Sequence, residues 1–150
     1  MHGYADVTPL LPDAPDATRF DVTGFSPSEA GASDALVTTA ADLTRFYRAL
    51  LRGRLLPPHL LRRMLTDTVP TTGSAPPAVA YGLGIYVYAT DCGRAYGHGG
   101  SSPGYLTFTL NDRDARHQIV AHTNWNSLVD TEIDDDFWAA FQQGYCTRPR

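Results

Sequence analysis

Lysine is absent from this 150-residue chain; all twelve of its basic residues are arginine. Lysine chemistry of every kind is therefore excluded from these residues. Cysteine is scarce, present only as Cys92 and Cys146. One pairing is possible, and two buried free thiols are the alternative if the compartment is reducing. Long apolar runs are missing too: none approaches the roughly 20 residues needed to cross a bilayer. The start, Met1-His2-Gly3-Tyr4-Ala5-Asp6, has neither a basic region nor an apolar core, so no signal peptide is read within this chain. A formal charge of −4 with scattered arginines offers no basic stripe, which argues against nucleic acid as a partner. No metal site and no cofactor are expected. His117 and His122 fall on opposite sides of one strand, and Asp134-Asp135-Asp136 lacks the alternating spacing of a calcium loop, reading instead as a solvated helix face.

What is present is the composition of a folded domain, 43% hydrophobic and 19% charged. A single domain of this size buries roughly 68–70% of its unfolded surface. Residues 1–35 are rich in Asp, Pro, Ala, Gly and Ser without periodicity and read as irregular chain. A free-standing domain seldom opens on such a connector, so the start is expected to be a cut. Residues 36–66 read as helical. A first helix is expected over 39–52, with Thr39 capping, Asp42 answering it, and Leu43, Phe46, Leu50 and Leu51 on one face. Gly53 is placed to end it. A shorter helix follows Pro57-Pro58, carrying Leu60, Leu61, Met64 and Leu65. Residues 66–80, with Pro70, Gly73, Pro76 and Pro77, read as a loop.

From 81 onward the apolar period shortens to that of strands, expected over 81–88, 94–99, 105–110 and 117–124. Leu106, Phe108 and Leu110 alternate with Thr107 and Thr109, so that strand should bury one face. A last helix is expected over 128–145, with Val129, Ile133, Phe137, Phe141 and Tyr145 along one side and acidic residues at its dipole-favoured start. The fold class is α+β: an antiparallel meander over 81–146 covered by a C-terminal helix, with two helices before it. Cys92 would lie in a turn before a strand and Cys146 at the end of the covering helix, which favours a disulfide and hence an exported parent protein.

The chemistry concentrates in Tyr96-Gly97-His98-Gly99-Gly100-Ser101. Histidine exchanges protons near neutral pH. Gly99 and Gly100 remove the side chains that would keep a substrate backbone off the strand. The Ser101 hydroxyl would meet a carboxylate. The same residues admit a plainer reading, a half-buried strand histidine beside a glycine bend. Tyr86 and Tyr88 read as sheet-packing residues.

Tyr81-Gly82-Leu83-Gly84, then Tyr96 to Ser101, then Pro103-Gly104-Tyr105 resemble, in order, the C-terminal portion of the serine-type D-alanyl-D-alanine carboxypeptidase and class C β-lactamase superfamily. Thr38-Thr39-Ala40-Ala41-Asp42-Leu43 fits the helix start found before it, and His2-Gly3-Tyr4 and both cysteines suit the carboxypeptidase branch. The resemblance implies a partial β-lactamase/transpeptidase-like fold. It implies that His98 takes the place of the basic residue in the Lys/His-Thr/Ser-Gly triplet, and that Gly100 lets the substrate lie along the strand. The Ser101 N–H would complete the oxyanion hole and its hydroxyl would bind the substrate carboxylate. Gly99 stands where Thr or Ser is usual, which leaves the substrate class open.

The superfamily's nucleophile belongs to a Ser-x-x-Lys motif that these residues cannot contain, and its Tyr-x-Asn motif is absent as well. The expectation is thus the substrate-binding portion of an acyl-transfer hydrolase, inactive alone. Its partners would be a peptide, β-lactam or ester substrate, together with a missing N-terminal half or a second copy. The alternative is a non-catalytic binding module built on the same fold. On the first reading the edge at 117–124 should lack a partner strand and invite self-association, whereas the binding module should be a stable monomer.

Overall fold

The computed structural model describes residues 2–6, 20–26, 28, 31–33, 35–72, 78–127 and 132–147. The segment read as irregular carries two short strands, β1 (Tyr4–Asp6) and β2 (Phe20–Asp21). Pieces of three and two residues hold no period a sequence pattern can show. Helix α1 (Ala40–Leu51) starts as expected. Thr39 Oγ1 accepts the Asp42 N–H at 3.1 Å and donates to the Asp42 carboxylate at 2.8 Å. That hydrogen bond, and then Arg45, hold the Asp42 carboxyl below its ordinary range. Gly53 follows the C-cap Arg52 with a φ of 70°. The buried face differs from expectation at one position: Tyr47 is 8% exposed while Phe46 is 48% exposed. Helix α2 (Pro58–Thr66) opens on its proline and buries Leu61 and Leu65.

The loop read over 66–80 holds β3 (Val69–Pro70) and the start of β4 (Ala78–Tyr81). Pro70 is tolerated because β3 is an end strand, paired on one side only. The strand expected over 81–88 is two strands. A turn at Gly82–Gly84, closed by Gly82 N–H to the Ile85 carbonyl at 2.8 Å, separates β4 from β5 (Tyr86–Thr90). Strand β6 (Gly93–Gly97) returns beside β5 through a tight turn at Asp91 and Cys92. After His98 the chain resumes as β7 (Gly99–Ser102), turns, and runs back as β8 (Tyr105–Asn111) and β9 (Gln118–Thr123). Strand β10 (Trp125–Ser127) leaves this sheet to pair in parallel with β1, and helix α3 (Glu132–Cys146) closes the described chain. Residues 128–131, the expected start of that last helix, lie outside the described residues, as does the side chain of Ile133.

The main sheet is antiparallel, with β8 between β9 on one side and β6 followed by β7 on the other. One face of it carries Leu106, Phe108, Leu110 and Tyr88 against Trp138, Phe141 and Tyr145 of α3. Tyr88 and Trp138 lie 5.2 Å apart between ring centroids, and Phe108 and Trp138 5.9 Å. The other face packs Ile85 against Tyr47, Leu50 and Leu51 of α1 and Leu61 and Leu65 of α2. The architecture is α+β, a sheet between two helical layers. The Cys92–Cys146 disulfide ties the β5–β6 turn to the end of α3, with Cα atoms 5.5 Å apart. No helix among the described residues is long and apolar enough to cross a membrane.

A buried polar network seats α1 on the sheet. Asn111, with no exposed surface, donates to the Tyr96 carbonyl at 2.9 Å and accepts from the Gln118 amide at 2.8 Å. Gln118 also donates to the Thr44 carbonyl and accepts from Arg48 at 3.1 Å each. Replacing Asn111 by leucine leaves the Tyr96 carbonyl without its side-chain donor and removes one acceptor of the Gln118 amide. The expected cost is about 2 kcal/mol, read from urea unfolding as a lower midpoint at unchanged m-value.

Candidate active site

His98 occupies the break between β6 and β7 and is half-buried. Tyr86 and Tyr81 form its walls, with ring centroids 4.9 and 5.8 Å from the imidazole. The imidazole Nδ1 contacts the Gly99 carbonyl, and Nε2 lies 3.2 Å from the Tyr81 hydroxyl. A carbonyl only accepts, so Nδ1 carries the proton in the neutral ring and Nε2 accepts from Tyr81. The main chain of His98 is held from β8: Thr109 N–H donates to the His98 carbonyl at 3.2 Å, and His98 N–H donates to Thr109 Oγ1 at 3.1 Å.

The two glycines after His98 do different things. A Cβ at Gly99 would stand 2.4 Å from the Phe108 ring, so Phe108 occupies the volume of any side chain there. A Cβ at Gly100 would meet nothing within 4 Å among the described residues. Only Gly100 leaves space for an incoming molecule. Ser101 follows on the exposed part of the strand, opposite Leu106. Among the described residues β7 pairs with β8 alone, so its other edge carries no strand. The structure thus brings His98, Gly100 and Ser101 together along one open edge, and turns Gly99 into a packing position.

Two residues of this site escaped the sequence reading. The sequence pattern puts Tyr81 at the start of a strand and Thr109 in the polar half of an alternation, with no sign that either meets His98. The registers of β4 on β5, Tyr81 opposite Tyr86, and of β5 on β6, Tyr86 opposite Gly97, place Tyr81 here. Nearby, burial raises the phenol pKa of Tyr47 and that of Tyr88. The remaining strand histidines are separately engaged: His117 contacts the Tyr145 carbonyl and ring, and His122 lies 2.9 Å from the Thr107 hydroxyl. Among the described residues no group of three or more His, Cys, Asp or Glu could hold a metal ion.

Among solved structures the chain is similar to a D-stereospecific amidohydrolase from a Streptomyces species, at 32% identity and a TM-score of 0.73, over 91% of this chain and 38% of that one. A D-amino acid amidase from Ochrobactrum anthropi SV3, solved with D-phenylalanine, shares the fold at 22% identity and a TM-score of 0.79, over 94% of this chain and 41% of that one. A penicillin-binding protein from Bacillus halodurans shares it at 19% identity and a TM-score of 0.59, over 93% and 39%. The chain therefore spans about two fifths of the length of these structures. Residues 2–143 match the Beta-lactamase family model, and with this match the chain belongs to the beta-lactamase family of serine hydrolases.

Proposed function

We propose that this chain forms the cleft wall of a serine acyl-transfer hydrolase acting on amides or peptides of D-amino acids, and that by itself it binds such a molecule without turning it over. The observation that supports this most is the edge of β7 that carries no strand among the described residues, along which His98, Gly100 and Ser101 follow one another with room at Gly100. An extended substrate adds to such an edge as one more strand, its main chain bonding to that of β7. In the reaction a serine oxygen bonds to the substrate's carbonyl carbon, the C–N bond breaks, and the leaving amine takes the serine proton. Water then repeats the exchange and frees the acid. The Ser101 N–H serves the oxyanion of the tetrahedral intermediate. The His98 imidazole handles protons near the leaving group, and the Ser101 hydroxyl contacts the polar end of the substrate. Peptides ending in D-alanyl-D-alanine, β-lactams and esters fall within the same reaction class. The similarity to a D-stereospecific amidohydrolase from a Streptomyces species supports amides of D-configured molecules among them.

With no lysine among its residues, this chain lacks the means to activate a serine by the Ser-x-x-Lys route. That favours a second reading of the same site, a binding module that never turns over. The disulfide fits an oxidising compartment and supports an exported parent protein. A nuclear magnetic resonance titration with D-phenylalaninamide and its L enantiomer tests the site. Amide shifts confined to 98–101 and its neighbours, with the D form only, are expected; no shift there with either form removes the cleft-wall reading. Incubation with a fluorescent penicillin is expected to leave the chain unlabelled, and a covalent adduct would refute the claim that it is inactive alone.

A further inference from the structure

Opposite residues in a hydrogen-bonded antiparallel pair each give an N–H to the other's carbonyl. Tyr96 stands opposite Asn111 and Gly99 opposite Phe108, so the register runs unchanged through the break and sets His98 opposite Thr109. Half of their exchange is ordinary, the Thr109 N–H donating to the His98 carbonyl. The other half is rewritten. His98 N–H goes to the Thr109 hydroxyl at 3.1 Å, and that hydroxyl donates in turn to the His98 carbonyl at 3.3 Å. The Thr109 carbonyl lies instead against Gly97, where an added Cβ would stand 1.9 Å from it. Thr109 itself is 2% exposed.

The consequence falls on the imidazole. Regular alternation would send His98 to the side of Tyr96, which packs with α1 and α2. Its ring reaches Tyr86 instead, which packs on the cluster under α3. We propose that Thr109 is a positioning residue: its hydroxyl stands in for a ladder bond, turns His98 out of the pleat and aims the imidazole at Tyr81. The inference rests on the reading of the β7 edge as a cleft wall, and it assigns Thr109 the task of fixing which imidazole nitrogen faces Tyr81. Valine has the shape of threonine but offers the His98 N–H nothing. Serine keeps the hydroxyl.

Long-range proton–nitrogen spectra of the imidazoles report the tautomer, and hydrogen exchange reports the His98 amide. The wild-type chain and Thr109→Ser are expected to hold the Nδ1-protonated form and a protected amide. Thr109→Val is expected to lose the tautomer preference and to exchange its His98 amide about tenfold faster, with Leu110 protection unchanged. A folded valine variant that keeps both wild-type signatures overturns the proposal. Should valine prevent folding, Thr109→Cys with its weakly bonding thiol replaces it, and wild-type signatures there overturn the proposal equally. Titration with D-phenylalaninamide separates the two readings. A tautomer that depends on Thr109 in a chain that ignores the ligand upholds the positioning role and removes the cleft-wall function.

Discussion

Replacing both Cys92 and Cys146 by serine is expected to lower the unfolding free energy by about 4 kcal/mol and the melting temperature by roughly 10 °C. The bond closes a loop across a sequence separation of 54 residues, and the unfolded chain regains that loop's freedom when it is removed. The native state loses little, because α3 keeps Trp138, Phe141 and Tyr145 packed on the sheet. The deficit should therefore appear mainly as a more expanded denatured state, with a larger m-value in the serine variant. Cys92 is exposed and Cys146 half-buried, so a small reductant should reach the bond without global unfolding. Calorimetry of the wild-type chain with and without reductant gives the same comparison in one sample. A melting temperature that moves by less than about 2 °C in both experiments would contradict the loop-entropy account.

What the sequence disclosed follows from how local each signal is. Thr39 and Asp42 lie three residues apart on one helical turn, so the start of α1 was readable and the hydrogen bonds agree. The alternation of Leu106, Phe108 and Leu110 placed β8 because one buried face repeats every second residue. The exchange of Phe46 for Tyr47 was not readable. Adjacent helix positions differ by about 100° of rotation, and which one is buried depends on where the sheet lies. The break at His98 escaped for a related reason: residues 94–99 read as one strand, and the interruption comes from a hydroxyl eleven residues away on β8. Asn111 falls just past the strand expected over 105–110, yet it is completely buried and bonded to Gln118 and Tyr96. The open edge of β7 is a property of sheet order, which no single segment encodes.

The glycine pair gives the sharpest test of which positions shape the cleft. Gly99→Val places methyl groups where the Phe108 ring lies, against Phe137, Trp138 and Phe141. Overpacking that aromatic cluster should cost about 3 kcal/mol, seen as a lower urea midpoint. Gly100→Val meets no neighbour among the described residues, and a β-branched residue suits a strand, so stability should change by less than about 0.5 kcal/mol. Binding should behave the opposite way. The Gly100 variant is expected to lose at least about tenfold in affinity for D-phenylalaninamide, because its side chain fills the space beside the open edge. A Gly99 variant that remains folded should retain most of its affinity. If both variants lose stability equally and neither alters binding, then the pair is a bend in the sheet and β7 presents no cleft. If Gly99→Val also restores wild-type stability when Phe108 is cut to alanine, the two positions share one volume. Phe108 would then be the reason that glycine stands at position 99.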